Sequence, residues 1–201
     1  MKEYIEKTLE YYENNAHIYK DFWVNEFSKN YDFNIPDIFL SYLNNKSKIL
    51  DLGCGVGRDS KYFIEKGYNV ISIDGSKKMC EIAHQLTGLN VEQVNFLNIN
   101  YENEFDGVFA CASLLHLTND DLLLVLNKIA KALKDNGVIY ASFKLGNKER
   151  FDNGKFYNDM TEEKFLNLCN CIKELKIIKT WLTSQYKSEA KFINYIIQKN
   201  K

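Results

Sequence analysis

Three glycines at alternate positions, Gly53, Gly55 and Gly57, follow the apolar run Ile49 to Leu52, which itself carries an acid, Asp51. Glycine adopts positive φ without steric cost and leaves no Cβ between backbone and ligand, so a strand, a glycine turn and a helix together suit close approach of something flat or charged. Two ligand classes compete for such a turn. The dinucleotide fingerprint G-x-G-x-x-G needs its third glycine at the sixth position, where helix and strand pack closely and a pyrophosphate caps the helix. Here Arg58 stands at that position and the third glycine comes one residue early. One βα unit later, the β-branched run Asn69 to Ile73 ends in Asp74-Gly75-Ser76, about 20 residues past the glycines, where a ribose-binding acid belongs in this fold logic. A carboxylate there can accept from both ribose hydroxyls, and Ser76 is placed to cap a helix carrying Met79 and Ala83.

The order D-x-G-x-G-x-G from Asp51 to Gly57, continued as G-C-G-x-G-R-D-S from Gly53 to Ser60, closely resembles motif I of the class I S-adenosylmethionine (SAM) dependent methyltransferases of the small bacterial type. The resemblance implies SAM as cofactor and S-adenosylhomocysteine as product. It is chemically coherent, because SAM lacks a pyrophosphate but carries an ammonium and a sulfonium that favour a nearby carboxylate. Cofactor contacts are expected at Asp51, Gly53, Gly55, Gly57, Arg58, Asp74, Gly75 and Met79. The residue ending strand three is often an acid that accepts the adenine amino group; this sequence departs from that with Asn95, whose carbonyl oxygen can substitute, followed by Phe96 to back the ring. The segment Ala110-Cys111-Ala112-Ser113 matches the one whose backbone lies along the methionine part, which adds Cys111 and Ala112. An amino-terminal Tyr-Tyr-x-x-x-Ala-x-x-Tyr segment, here Tyr11-Tyr12 through Ala16 to Tyr19, implies a lid over the cofactor, with the Tyr12 and Tyr19 hydroxyls meeting its carboxylate. His116, just beyond strand four, is the candidate general base, or else a packed, hydrogen-bonded residue as in similar family members.

The elements that must position these groups alternate along the chain. A third strand is expected around Val91 to Asn95, a fourth from Phe105 to Cys111, a helix from about Asn119 to Leu133 and a fifth strand from Val138 to Phe143. Thr118 and Asp121 form a T-x-x-D capping box, and Leu122, Val125, Leu126, Ile129 and Leu133 keep helical spacing as far as Asn136-Gly137. Leu175 to Leu182 and Phe192 to Gln198 are β-rich runs joined by a polar turn, an antiparallel hairpin. The fold class is therefore α/β: a Rossmann-like, seven-stranded class I methyltransferase sheet with an antiparallel terminal hairpin and helices on both faces. One domain is expected over 1–201, with 1–45 as an amino-terminal helical lid and 46–201 as the SAM-binding core. Residues 1–45 are crowded with aromatics, Tyr4, Tyr11, Tyr12, Tyr19, Phe22, Trp23, Phe27, Tyr31 and Phe33, most of them packing residues at helical spacing.

Composition bounds the partners. With 201 residues, 45% hydrophobic and a formal net charge of −1, the chain can bury a sizeable core and is not a wholesale polyanion binder. Residues 1–45 carry about four more acids than bases and 144–201 about five more bases than acids, most of it solvated surface. Five cysteines, odd in number and without a C-x-x-C pair, suggest a reducing compartment. The amino terminus lacks an apolar signal core and no apolar run approaches membrane-spanning length, so a cytoplasmic location is expected. His17 and His84 read as helix-surface residues, and no acidic or histidine grouping has metal-ligand spacing.

The methyl acceptor is harder to read. The connection from Lys144 to Asp159 is long, polar and punctuated by glycine, which makes it the expected acceptor loop. Lys144, Arg150 and Lys155 could hold an anionic acceptor there, and Phe156 and Tyr157 could stack on a planar one. Pro36 is the sole proline, so the chain lacks the Asx-Pro-Pro-aromatic motif of amino-methylating nucleic-acid enzymes and the Pro-Cys of cytosine C5 enzymes. It also lacks the paired-glutamate loop of arginine methyltransferases. Methyl transfer to a small molecule or metabolite leads; a tRNA or peptide modifier and a non-catalytic SAM-binding regulator are the alternatives.

Overall fold

The computed structural model describes residues 1–26, 34–184 and 190–200; Phe27, Tyr31 and Phe33 lie outside these. The chain opens with helix α1 (Glu3–Lys20), a π-helical turn (Asp21–Glu26) and helix α2 (Asn34–Leu40). Strands β1 (Lys48–Leu52), β2 (Asn69–Asp74), β3 (Glu92–Gln93), β4 (Phe105–Ala110) and β5 (Leu133–Lys144) follow. Between them run helices α3 (Arg58–Glu65), α4 (Lys77–Thr87) and α5 (Asn119–Ala132). A small hairpin, β6 (Glu149–Asp152) and β7 (Lys155–Asn158), helix α6 (Glu162–Asn170) and strands β8 (Leu175–Ser184) and β9 (Lys191–Lys199) complete the order.

The main sheet has seven strands in the order β3-β2-β1-β4-β5-β9-β8. The first five run parallel, whereas β9 pairs antiparallel with both β5 and β8. This is the expected seven-stranded sheet with a reversed terminal hairpin. Parallel strands must be covered on both faces, and β1 and β4 accordingly read as near-continuous buried apolar runs. One face packs α5 and α6 around Leu122, Val125, Ile129 and Phe165; the other packs α2 and α3 through Phe39 and Phe63 against Phe109 and Tyr140. Strand order reverses between β1 and β4, which opens a crevice at their carboxyl ends.

Four local outcomes differ from expectation, the first being that β5 begins at Leu133, within the stretch where helical spacing was expected to run on to Asn136-Gly137. The third strand shrinks to Glu92–Gln93 because the Asn95 side chain accepts from the Leu97 amide at 2.9 Å and turns Phe96–Asn98 into a 3-10 helix. Val94 and Phe96 then point to the core instead of prolonging an edge. The capping box closes on one side only: Thr118 Oγ1 accepts from the Asp121 amide at 3.3 Å, but the buried Asp121 carboxylate accepts from Lys2 Nζ at 2.7 Å and from the Tyr4 hydroxyl. It thereby pins the start of α1 to α5. The expected long loop at 144–159 is mostly the β6–β7 hairpin, turned by Asn153 (φ 50°) and Gly154 (φ 79°). Asn-Gly at positive φ is a strong two-residue hairpin signal.

Candidate active site

Strand β1 delivers its chain directly into the glycine turn. The amides of Gly53 and Cys54 donate to the Ile73 carbonyl at 2.9 and 3.1 Å, tying the turn to the end of β2. A Cβ on Gly53 (φ 80°) would stand 2.5 Å from Ser113 Cβ and 2.9 Å from Phe96 Cζ, so the backbone there is enclosed by the ends of β3 and β4. The Gly55 amide donates to Asp74 Oδ2 at 2.9 Å, and the Ser76 amide to Oδ1 at 2.8 Å. Burial raises the Asp74 carboxyl from its ordinary range, while those amide donors pull it back. Ser76 caps α4 as expected, accepting from the Met79 amide at 3.3 Å, and donates to Glu13 Oε2 at 2.6 Å, which seats α1 against α4.

Asp51 is 3% exposed. Ser60 Oγ donates to its Oδ2 at 2.5 Å and lies 2.8 Å from Ser72 Oγ, so a short hydroxyl chain holds the carboxyl under the turn. Burial first, then the neighbouring Asp59, pushes its pKa up to about 7. Arg58 forms a bidentate pair with Asp59, Nε–Oδ1 at 3.0 Å and Nη2–Oδ2 at 2.5 Å, and its guanidinium lies 4.3 Å from the Trp23 ring centre.

These groups surround a cavity of about 660 Å³ at the reversal between β1 and β4, within the usual range for small-molecule sites. It is lined by Tyr12, Tyr19, Asp51, Gly53, Gly55, Arg58, Asp74, Gly75, Met79, Asn95, Phe96, Cys111, Ala112 and His116. Gly57, expected among the ligand contacts, is not in the lining. A Cβ there would meet Ala83 Cβ at 2.9 Å and its Cα at 3.0 Å, so this residue (φ 84°) serves the packing of α3 on α4.

The cavity also takes in residues that the sequence did not single out for it: Trp23, Asp59, Tyr140, Ser142, Thr183, Phe192 and Asn194. Polar side chains at Tyr140, Ser142 and Asn194 interrupt otherwise apolar strands and were the available signal, because buried polar groups need partners. Asn194 has them: Tyr140 Oη donates to its Oδ1 at 2.8 Å, and its Nδ2 donates to Thr183 Oγ1 at 3.0 Å and the Trp181 carbonyl at 3.1 Å.

The 144–159 segment does not reach the cavity in the way expected. Arg150 is held by Asp159 at 2.9 Å and Asp152 at 3.0 Å. Lys144 Nζ lies 3.8 Å from the Tyr157 ring centre, and Lys155 Nζ donates to Tyr19 Oη at 3.0 Å. Burial lowers both lysines, Lys155 to about 8. Phe156 and Tyr157 are buried, and none of these five residues lines the cavity. The hairpin instead backs α1, with the Phe156 amide donating to Thr8 Oγ1 at 3.0 Å. A polar segment with this much internal pairing offers no open anion site.

His116 joins the two layers. Its Nδ1 lies 2.6 Å from the Phe156 carbonyl, which can only accept, so Nδ1 carries the proton and Nε2 takes the Tyr12 hydroxyl at 2.8 Å. Burial holds its pKa down to about 4. This geometry favours the packed role over the general base. With its folded pKa below the ordinary value of about 6.5, His116 binds fewer protons in the folded than in the unfolded state between these limits, so its own contribution to stability is full above the upper one and is lost below it. His116→Gln is expected to unfold more readily in urea at pH 7.5, by about 2 kcal/mol for two lost hydrogen bonds, and this difference from the parent should shrink as pH falls from 6.5 to 4. A difference between variant and parent that stays constant over this range would contradict this assignment. Among the described residues, no group of three or more His, Cys, Asp or Glu is placed to hold a metal, and no helix is long and apolar enough to cross a membrane.

Comparisons with known proteins agree with this geometry. Residues 49–137 match a family described as methyltransferase domain. The chain is 30% identical over 115 residues to YqeM of Bacillus subtilis, itself only provisionally called a methyltransferase; the match covers 51% of this chain and 46% of that relative. A Staphylococcus carnosus methyltransferase of uncharacterised activity is 25% identical over 66% of this chain and 67% of its own length. Among solved structures, a 1,6-didemethyltoxoflavin-N1-methyltransferase of Burkholderia thailandensis, crystallised with 1,6-didemethyltoxoflavin and S-adenosylhomocysteine, superposes with a TM-score of 0.81 over 99% of this chain and 90% of that one at 20% identity. That likeness establishes the fold.

Proposed function

We propose that this chain is a SAM-dependent methyltransferase whose acceptor is a small molecule held in the cavity beneath α1. The observation that carries the cofactor assignment is Asp74, fixed by the Gly55 and Ser76 amides at the cavity wall beside a turn where Gly53 admits no side chain. The donor set fits: Asp74 for ribose hydroxyls, Asp51 for the ammonium of the amino-acid end, Asn95, Phe96 and Met79 for the base, and the backbone of Cys111 and Ala112 for the chain between them. When bound, SAM supplies a methyl group already activated by its sulfonium, so the protein's part is to position the nucleophile and exclude water. Helix α1 serves as the lid: Ile5, Thr8, Leu9, Tyr12 and Tyr19 line the cavity from above, and α1 is clamped by Asp121, Glu13–Ser76 and the Thr8–Phe156 bond.

A small acceptor is supported by the same enclosure, because a roofed cavity of about 660 Å³ admits a metabolite more readily than a polymer. The small heterocycle bound in the Burkholderia enzyme is consistent with this. The test is calorimetric titration with SAM and S-adenosylhomocysteine, followed by incubation with labelled-methyl SAM and size-fractionated cell extract. Micromolar cofactor binding and label in the small-molecule fraction are expected. Label in tRNA or protein would replace the acceptor class, and tight binding with no transfer would favour a regulator.

A further inference from the structure

Tyr12 and Tyr19 stand two turns apart on one face of α1, with ring centres 5.2 Å from each other, and both line the cavity beside Val56 and Met79, next to the glycine turn. Their spacing alone assigns both hydroxyls the same role, but two adjacent residues of β7 set them at opposite polarity. The Phe156 carbonyl fixes the His116 proton on Nδ1, so Tyr12 donates to Nε2 at 2.8 Å and turns only lone pairs toward a ligand. Lys155 Nζ donates to Tyr19 Oη at 3.0 Å; an ammonium has no lone pair, so Tyr19 keeps its own proton to give. Resting on the methyltransferase reading, we propose that Lys155 is a positioning residue that makes Tyr19 a charge-assisted donor to the carboxylate of the cofactor's amino-acid end, a bond from which Tyr12 is excluded.

The charge on Lys155 is held without being neutralised. Its Nζ lies 4.3 Å from the Tyr11 ring centre and 5.7 Å from those of Tyr12, Tyr19 and Tyr157, and aromatic faces attract a cation while leaving its formal charge intact. Among the described residues no carboxylate forms an ion pair with it. Asp152, which acts on it at longer range, is bonded to Arg150 at 3.0 Å. Burial and then Lys144 pull its pKa to about 8, so at pH 7 it is still an ammonium. A half-buried cation without a counter-ion is unfavourable in the free protein, and an anionic group bonded to Tyr19 offsets that cost through the stronger, charge-assisted class of hydrogen bond. Asp51, under the same turn, is assigned the ammonium, which leaves the carboxylate as the charged group of that end in need of a donor. Lys155 meets Tyr19 only when α1 lies on the β6–β7 hairpin, so the same contact ties the closed roof to the cofactor.

The test titrates the full chain at pH 7 with S-adenosylhomocysteine, with its decarboxylated form, which keeps the ammonium, and with methylthioadenosine, which lacks both charged groups. The parent is expected to bind S-adenosylhomocysteine at least tenfold more tightly than the decarboxylated form. Tyr19→Phe and Lys155→Met should each cut that ratio at least fivefold while leaving methylthioadenosine affinity within twofold of the parent. In a Tyr19→Phe background, Lys155→Met should cut the ratio less than twofold further, because it acts through that hydroxyl. Tyr12→Phe, which removes a hydroxyl from the same roof, should weaken both charged ligands alike. An unchanged ratio in Tyr19→Phe or Lys155→Met, a selective loss in Tyr12→Phe, or independent losses in the double variant would overturn the proposal. If neither variant folds, the parent ratio decides, tenfold or more upholding the proposal and less overturning it. Failure of the parent to bind either S-adenosylhomocysteine or methylthioadenosine would instead remove the methyltransferase reading, which separates the two failures.

Discussion

Gly53→Ala is expected to abolish measurable S-adenosylhomocysteine binding and to cost about 3 kcal/mol of folding stability, combining left-handed strain of ~1–2 kcal/mol with overpacking of ~1–3 kcal/mol. The added methyl would lie 2.5 Å from Ser113 Cβ and 2.9 Å from Phe96 Cζ. Ser113 cannot easily retreat, because its hydroxyl donates to the Leu52 carbonyl at 2.6 Å and joins the ends of β4 and β1. Gly55 is the internal comparison. At φ 55° it has nothing within 4 Å of a built Cβ, so Gly55→Ala should lose only the conformational term of about 1 kcal/mol. Urea denaturation of both variants and calorimetry with S-adenosylhomocysteine check the pair. Equal destabilisation would mean that the enclosure around Gly53 is not what fixes the turn.

The second large effect concerns Asp51. Its carboxyl, raised to about 7, stays protonated in the fold at pH values where the unfolded chain has lost that proton. At this group the folded state then binds more protons than the unfolded one, so its contribution to stability falls as pH rises from about 4 to about 7 and levels off above that, opposite in sign to the contribution of His116. Asp51→Asn should remove this dependence and stabilise the free protein by about 1–2 kcal/mol at pH 8. Cofactor binding should move the other way. The ammonium of the amino-acid end prefers the ionised carboxylate, so the parent is expected to bind S-adenosylhomocysteine more tightly at pH 8 than at pH 6, whereas the variant binds at least tenfold more weakly at pH 8 and shows little slope. Unchanged affinity in Asp51→Asn would exclude this residue from the cofactor site. A more stable yet weaker-binding variant is the signature of a charge retained under desolvation for its function.

Much of the architecture was readable because it is written in local patterns. Apolar β-branched runs, capping residues and the 3.6-residue spacing of α5 are properties of neighbours in sequence, and Ser76 and Thr118 cap the helices assigned to them. Sequence pattern and structure diverge where one pattern serves two purposes. Gly57 matches the ligand-binding turn, yet it is needed for the approach of α4, and no spacing rule separates a glycine that clears a helix from one that clears a ligand. The 144–159 segment looked like an open basic loop because residue type records charge but not pairing; Arg150 meets Asp159 only after β6 and β7 fold back on each other. Here the Asn153-Gly154 turn was legible and outweighed by length and polarity.

Residue order alone determined the alternation of strands and helices, the reversed terminal hairpin and the acid–glycine turn, since each is signalled by residue types within a few positions of one another. Tertiary structure decided the roof and the far wall of the cavity. Tyr12 reaches His116 across 104 positions and Tyr140 reaches Asn194 across 54. Such pairs form only when α1 docks and β9 settles in register against β5, and register is a property of the whole packed sheet rather than of either strand.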